Sequence, residues 1–172
     1  MEPSKWASEY ARSHLNINTR TGTLEDNIKV LASDYDAVVS WDVLEHLKDP
    51  LAFLTQINSI LKQNGVFCFS TLDIDNWFPK LMGKRWPWLM DMHLFYFNSN
   101  TTEQCLNRAG FKIIRADSYV HYISIPYLAE KINAILPCGL GRPFYLIRKV
   151  IPKHLLVPFS FGDIKLYICV KE

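Results

Sequence analysis

One strand–helix–strand unit in the first half of the chain constrains the fold more than any other feature. Residues 37–41 form an apolar run that is too short and too rich in β-branched residues for a helix. Asp49 and Pro50 then supply an N-cap and a first-turn residue for an amphipathic helix. Residues 66–70 form a second apolar strand. Two strands joined by a helix make a right-handed crossover in a parallel sheet, so the sequence predicts an α/β protein.

The segments on either side of this unit extend the α/β pattern. Helices are expected after Ser4 and after Asn100 or Thr101, because these side chains can cap a first helical turn. Asn64-Gly65 is expected to end the helix that Asp49 begins, since glycine tolerates the left-handed conformation common at helix ends. Further strands are predicted over residues 16–21, 111–116 and 164–170.

Length and composition exclude several classes of protein. The 172 residues are 49% hydrophobic and 13% aromatic, which is enough to build a core and argues against disorder. A net charge of +2 gives no signal for nucleic-acid binding. The four cysteines form no CxxC pair, so no metal site is predicted and a reduced, cytoplasmic setting is expected. No apolar run is long enough to predict a transmembrane helix.

Several segments, in order, resemble a class I S-adenosylmethionine-dependent methyltransferase over residues 2–118. They read EPSKWASEYAR, TGTLED, YDAVVSWDVLEHLKDP, LKQNGVFCFST and AGFKII. The resemblance implies an incomplete Rossmann-like sheet that contains the family's third to seventh strands, with helices on its faces. The predicted organisation is a partial core over residues 1–120, a helical, proline-rich and basic cap or substrate-side insertion over residues 121–160, and a final strand over residues 161–172 that returns to the core.

The resemblance assigns cofactor contacts to residues that match the family's motifs. Glu2 matches the acidic residue that binds the ribose hydroxyls. The alternative interpretation is that Glu2 is a solvated acid before a helix.

Thr23 and Leu24 match the loop that holds the adenine, although Thr23 stands where relatives commonly carry an aspartate. The alternative for both is a plain turn.

Trp41, Asp42 and Val43 match the strand end along the methionine part of S-adenosylmethionine. At this position a tryptophan is more often a packing residue.

Two histidines are the candidate catalytic bases. His46 follows Glu45 in the Leu-Glu-His step, and a structural role is its main alternative. His93 lies in an aromatic segment that resembles an acceptor-side lid, where Trp86 and Trp88 would line an acceptor pocket. The alternative is an aromatic mini-core that covers the edge of the sheet.

The chain departs from the family in one respect. The family begins with a strand and a glycine-rich loop that approaches the cofactor, and the seven glycines of this chain form no such motif after a first strand. We therefore expect a truncated or split methyltransferase that binds S-adenosylmethionine weakly or not at all by itself. Its fourth strand should expose an unpaired hydrophobic edge, which a missing N-terminal segment or a partner chain would cover.

The resemblance implies methyl transfer to a small-molecule acceptor, such as a lipid- or sugar-linked metabolite. The alternative is a non-catalytic remnant that serves as a binding or scaffold module. Bases in the proline-rich region suggest an anionic lipid surface as a second partner and a peripheral membrane location. The alternative is that they are ordinary solvated bases on a helical cover over the sheet. These bases are Lys131, Arg142, Arg148, Lys149 and Lys153.

Overall fold

The computed structural model describes residues 1–135, 152 and 155–172. The α-helices are α1 (Lys5–His14), α2 (Leu24–Asn27), α3 (Pro50–Ile60), α4 (Trp77–Met82), α5 (Ser99–Arg108) and α6 (Ile125–Ile135). The strands are β1 (Tyr35–Ser40), β2 (Leu61–Leu72), β3 (Phe111–Ser118), β4 (His121–Ser124), β5 (Leu156–Phe159) and β6 (Ile164–Lys171). Short 3-10 turns cover Ile28–Val30, Leu44–His46 and Gly83–Arg85.

A four-stranded sheet in the order β1-β2-β6-β3 forms the centre of the protein. β1 pairs with β2 in parallel, and β6 lies antiparallel between β2 and β3. Because β2 and β3 both run opposite to β6, the first three strands point the same way. Their carboxyl ends therefore lie at the same edge of the sheet, which is where ligands bind in open α/β sheets.

The strand–helix–strand unit predicted from the sequence is present as β1, α3 and β2. Asp49 caps α3, since its Oδ1 accepts a hydrogen bond from the amide of Ala52 at 2.9 Å. The helix ends at Ile60 and not at Asn64-Gly65, because Leu61 is already extended and pairs with Tyr35. The left-handed Asn64, with φ 62°, instead belongs to an irregularity in the register between β1 and β2.

Two further local predictions are wrong. Residues 16–21 form no strand, and their only β contact is an isolated parallel bridge between Glu2 and Thr21. The cap of α5 is Asn98 and not Asn100 or Thr101. Asn98 and Thr101 form a reciprocal capping box, in which each side chain accepts the other's amide hydrogen.

The proline-rich region contains strands as well as a helix. β4 and β5 form a separate antiparallel pair, and α6 follows β4 directly. Exposed and half-buried positions alternate in β5, a two-residue period that is typical of a strand and not of a helix. Arg142, Arg148, Lys149 and Lys153 lie outside the described residues, as does the side chain of Lys131. No described helix is long and apolar enough to span a membrane.

The core lies between the sheet and helices α3 and α5. Phe67 and Phe69 of β2 stack at 4.8 Å, and Phe69 stacks on Tyr167 of β6 at 5.2 Å. Leu54 of α3 and Leu106 of α5 are fully buried against this cluster. A second cluster, formed by Leu72, Phe78, Trp86 and Ile164, lies beyond the carboxyl end of β2. These two clusters fix the positions of the strand ends.

The outer edge of β1 is open within the described residues. β1 stands at the end of the strand order and pairs with β2 alone. Val39 in this strand is 63% exposed, and Tyr35 is also exposed. The hydrophobic edge expected for the family's fourth strand is therefore present in the structure.

Candidate functional site

The turn after β1 is held against the end of β2 by a pair of hydrogen bonds. Asp42 donates its amide hydrogen to Ser70 Oγ at 3.0 Å, and Ser70 Oγ donates to Asp42 Oδ1 at 2.7 Å. Asp42 adopts φ 50°, a left-handed conformation that aspartate tolerates better than most residues. The backbone therefore reverses sharply at Asp42 and enters the 3-10 turn with its carboxylate fixed.

Glu45 in this turn is a buried acid with two connections. Its side chain is 1% exposed and its Oε2 accepts a hydrogen bond from Thr71 Oγ1 at 3.1 Å. Its carbonyl oxygen accepts the amide hydrogens of Leu94 at 2.8 Å and Phe95 at 3.2 Å. Burial raises the pKa of the Glu45 carboxyl, and the nearby charge of Asp42 adds to this effect. Glu45 thus joins the strand end to the aromatic segment that carries His93.

His46 and His93 face each other across this junction. Their ring centroids are 4.6 Å apart in an edge-to-face arrangement. His46 Nδ1 lies 2.9 Å from the carbonyl oxygen of Met92, and His93 Nδ1 lies 2.7 Å from that of Trp88. Burial lowers the pKa of His93. The two candidate bases, which are 47 positions apart in sequence, therefore belong to one cluster.

This cluster also contains a set of metal-ligand atoms. One carboxylate oxygen of Glu45 and one ring nitrogen each of His46 and His93 lie within 4.8 Å of one another. Glu45 is buried and His93 is partly buried. The cluster therefore brings together atoms of the types that serve as metal ligands and as acceptors of a proton or a hydrogen bond.

The residues predicted to contact the cofactor occupy two places. Trp41 is 47% exposed, with its ring centroid 6.1 Å from that of Tyr119, and Asp42 and Val43 follow it at the carboxyl end of β1. Trp41, Asp42 and Val43 thus adjoin the histidine cluster through the same turn.

Glu2, Thr23 and Leu24 lie at or just beyond the Glu2–Thr21 bridge. Glu2 Oε1 accepts a hydrogen bond from the Ser4 amide at 2.9 Å. Thr23 caps α2 in a capping box with Asp26, and Leu24 is 5% exposed in the core. Each of these three residues therefore makes a local contact within the protein, and their contact with the cofactor stays a prediction.

The aromatic segment divides into buried and exposed parts. Trp86 is 3% exposed, and its Nε1 donates a hydrogen bond to Asp163 Oδ2 at 2.8 Å, so it packs in the second cluster. Trp88 packs partly buried against that cluster. Met92 and Leu94, on either side of His93, are exposed. The segment is thus a mini-core with an apolar outer surface beside His93.

Sequence reasoning missed two residues of this site, Ser70 and Tyr119, and it placed Thr71 only at the carboxyl end of a strand, where ligands bind. Ser70 and Thr71 hold Asp42 and Glu45, and Tyr119 flanks Trp41. Ser70 is a polar residue at the end of the same apolar strand, and that position in an α/β sheet is the signal that could have identified it. Nothing in the local sequence of Tyr119 points to Trp41, because their contact depends on the fold.

A family model described as a methyltransferase domain matches residues 1–116. Among curated proteins, the chain is 39% identical over 62 residues to a ubiquinone biosynthesis O-methyltransferase of Cereibacter sphaeroides, a match that covers 36% of this chain and 25% of that protein. It is 32% identical over 77 residues to the enzyme of the same name from Actinobacillus pleuropneumoniae, with 42% and 33% covered. The match thus spans about a quarter to a third of the length of these relatives.

Solved structures share the fold at low sequence identity. An S-adenosylmethionine-dependent methyltransferase of Thermotoga maritima superposes with a TM-score of 0.61 at 16% identity, over 99% of this chain and 72% of that one. A second, from Archaeoglobus fulgidus, gives a TM-score of 0.55 at 15% identity, over 98% and 73%. The α/β, Rossmann-like fold predicted from the sequence is thus confirmed. Because the family model covers more than half of the chain, this protein belongs to the class I S-adenosylmethionine-dependent methyltransferases.

Proposed function

We propose that the chain carries the acceptor side of a methyltransferase that transfers a methyl group to a hydroxyl oxygen of a small molecule. The observation that carries this proposal is the convergence of Asp42, Glu45, His46 and His93 at the carboxyl ends of β1 and β2. The curated relatives are named as O-methyltransferases of ubiquinone biosynthesis, which favours an oxygen acceptor. The exposed Met92 and Leu94 beside His93 favour an acceptor with an apolar portion, such as a lipid-linked metabolite.

The residues at the end of β1 fit the cationic part of S-adenosylmethionine. Trp41 presents an exposed indole, whose face attracts a positive charge, and the Asp42 carboxylate lies next to it in sequence. When bound, the cofactor supplies an activated methyl group on a sulfonium. Trp41, Asp42 and Val43 would hold the methionine end, while Glu2, Thr23 and Leu24 would lie along the ribose and adenine.

The chain's own contribution to the reaction is to position the acceptor and remove its proton. Methyl transfer requires in-line alignment of the acceptor oxygen with the methyl group, and a rigid pocket supplies that alignment. As the new carbon–oxygen bond forms, the acceptor hydroxyl loses its proton to the cluster of His46 and His93. The hydrogen bonds of Ser70 to Asp42 and of Thr71 to Glu45 hold the turn in place during this step.

The open edge of β1 favours a second element in the complete site. The exposed Val39 and the unpaired outer side of β1 are suited to a further parallel strand, from another part of a longer chain or from a partner chain. The same edge is also the observation behind the alternative function, a non-catalytic module that binds a partner through strand addition. The basic side chains that suggested binding to a lipid surface lie outside the described part of the structure. Binding to a lipid surface therefore stays a prediction.

Equilibrium dialysis with labelled S-adenosylmethionine tests the proposal. We expect measurable but weak binding by the chain, which Trp41→Ala and Asp42→Asn both reduce. Trp6→Ala is the matched control, since Trp6 is 74% exposed and belongs to α1 and not to the turn after β1. Equal binding by all variants, or no binding even when a segment that pairs with β1 is supplied, would leave the non-catalytic alternative as the better function.

A further inference from the structure

We propose that Glu45, His46 and His93 form a binding site for one divalent transition-metal ion of the zinc class. These side chains come from two distant segments, the 3-10 turn after β1 and the aromatic segment after α4. The structure places a potential ligand atom from each within 4.8 Å of the other two. The cysteine pattern predicted no metal site, and this set contains no cysteine.

The hydrogen bonds of both imidazoles leave the correct nitrogen free for a metal. A carbonyl oxygen can only accept a hydrogen bond, so Nδ1 of His46 must donate to Met92 and Nδ1 of His93 must donate to Trp88. In a neutral imidazole the other nitrogen, Nε2, then carries a lone pair. Histidine ligands of metals typically have this arrangement, in which a backbone carbonyl fixes the tautomer and the ring orientation.

The carboxylate is held in an equally definite position. Thr71 donates to Oε2 of Glu45 at 3.1 Å in a buried environment, and a carboxylate has about four lone-pair sites, so lone pairs remain for a ligand. The Glu45 carbonyl accepts from Leu94 and Phe95, directly after His93 in the sequence. The backbone of one ligand thus positions the segment that carries another, so the site does not depend on flexible side chains alone.

The ligand set identifies the class of metal. Two imidazole nitrogens and one carboxylate oxygen suit zinc and similar transition metals, whereas calcium and magnesium prefer oxygen ligands alone. With metal–ligand bonds of about 2.0–2.2 Å, tetrahedral ligand atoms lie about 3.4 Å apart, so the observed set must contract by about 1.4 Å at most. Three protein ligands leave a fourth position open.

The role of that open position rests on the proposed function. An acceptor hydroxyl bound there would release its proton to water more readily, because the cation stabilises the resulting oxyanion. With their free nitrogens on the ion, His46 and His93 would act on the acceptor through the ion and would not take up the proton themselves. Binding of the ion itself does not depend on methyl transfer and can be measured without cofactor or acceptor.

The test uses the tag-free chain after removal of metal by a chelator, titrated first with Co²⁺ and then with Zn²⁺. We expect one equivalent of Co²⁺ with a visible absorption band, which Zn²⁺ abolishes by displacement. His46→Gln and His93→Gln should each weaken Co²⁺ binding by about tenfold or more, since loss of even an outer partner of a metal ligand weakens binding by 10- to 100-fold. His14→Gln, in α1, is the matched control and should bind like the wild type.

A second measurement on the wild type covers the case in which a variant fails to fold. Zn²⁺ should slow modification of His46 and His93 by diethyl pyrocarbonate, read by mass spectrometry, while His14 reacts at an unchanged rate. No Co²⁺ binding by the folded wild type, equal affinity in folded variants, or unprotected histidines would overturn the site. Metal binding without methyl transfer would uphold the site and count against the proposed function, and methyl transfer by metal-free protein would count against the role of the ion.

Discussion

Thr71, near the carboxyl end of β2, donates a buried hydrogen bond of 3.1 Å to the carboxylate of Glu45, 26 residues earlier in the chain. Both residues are at most 1% exposed. An ionised carboxylate in such a position depends on its hydrogen-bond partners, since water cannot replace them. The Thr71–Glu45 pair therefore connects the strand that the core fixes to the turn that carries His46.

Thr71→Val tests this connection, because valine keeps the shape of the side chain and removes its donor. We expect the free energy of unfolding to fall by about 1–3 kcal/mol, the cost of leaving a buried polar group without its partner. Urea denaturation measures this change.

Thr102→Val is the matched control for Thr71→Val. Thr102 is also fully buried, but its Oγ1 has no hydrogen-bond partner among the described residues. We expect the control to be neutral or stabilising. Equal losses of stability in both variants would show that the Glu45 contact contributes nothing specific.

The α/β fold was predictable because its signals are local. The β1–α3–β2 unit has an apolar strand, a capped helix and a second apolar strand in direct succession, and each of these signals lies within about ten residues. The prediction erred where tertiary pairing overrides local preference. Leu61 is extended and not helical because it pairs with Tyr35. The misplaced cap of α5 is instead a local error, because Asn98 forms its capping box with Thr101, only three residues away.

The candidate site was predictable only in parts. His46 and His93 were each identified from their own segments, but their contact requires the backbone of Glu45 to bind Leu94 and Phe95. No local pattern encodes a contact over 47 residues. Asp42 was identified from its place at a strand end, whereas its partner Ser70 follows only from the register of β1 and β2.

Lys165→Met should destabilise the protein, because Lys165 Nζ lies 2.9 Å from a carboxylate oxygen of Asp73, which is only 4% exposed. We expect a loss of about 1–3 kcal/mol, since the buried carboxylate loses its charged partner and keeps only its hydrogen bonds from Ser99 and the Asp75 amide. Lys80→Met is the control. Lys80 pairs with Asp75 at 3.4 Å with both side chains more than half exposed, and such pairs contribute about 0–1 kcal/mol.

The contribution of Lys165 should also depend on pH in a defined direction. Burial opposes the charged form of Lys165, but the hydrogen bond and charge of Asp73 outweigh it, so its pKa is raised. A raised pKa in the folded state means that the stabilisation is complete below the unfolded pKa of about 10.4 and is lost as the pH rises through the folded pKa. The difference in stability between wild type and Lys165→Met should stay constant from neutral pH to about pH 10 and shrink above it. A difference that already shrinks between pH 7 and pH 9 would contradict this assignment.

Trp86→Phe should weaken the second cluster, because phenylalanine cannot replace the hydrogen bond from Trp86 Nε1 to Asp163 at 2.8 Å. Asp163 is 5% exposed, so the loss should be about 1.5–3 kcal/mol in the free energy of unfolding. Trp77→Phe is the matched control, since Trp77 is 59% exposed. Its effect should stay within about 0.5 kcal/mol, as for most surface substitutions. A comparable loss in the two variants would argue against a specific role for the Asp163 contact.

Cys169 should be inert towards thiol reagents in the folded protein. Its side chain is fully buried in β6, and burial, together with the neighbouring Cys68, raises the pKa of its thiol to about 12. Because the thiolate is the reactive form, both access and ionisation oppose alkylation at neutral pH. Iodoacetamide labelling followed by mass spectrometry should leave Cys169 unmodified in native protein and fully modified after denaturation.

Cys68 and Cys105, which are only partly buried, serve as internal comparisons and should react faster than Cys169. Labelling of Cys169 at the rate of Cys105 would mean that β6 separates readily from its neighbours in the sheet. That result would contradict the close packing of β2 and β6, in which Phe69 stacks on Tyr167.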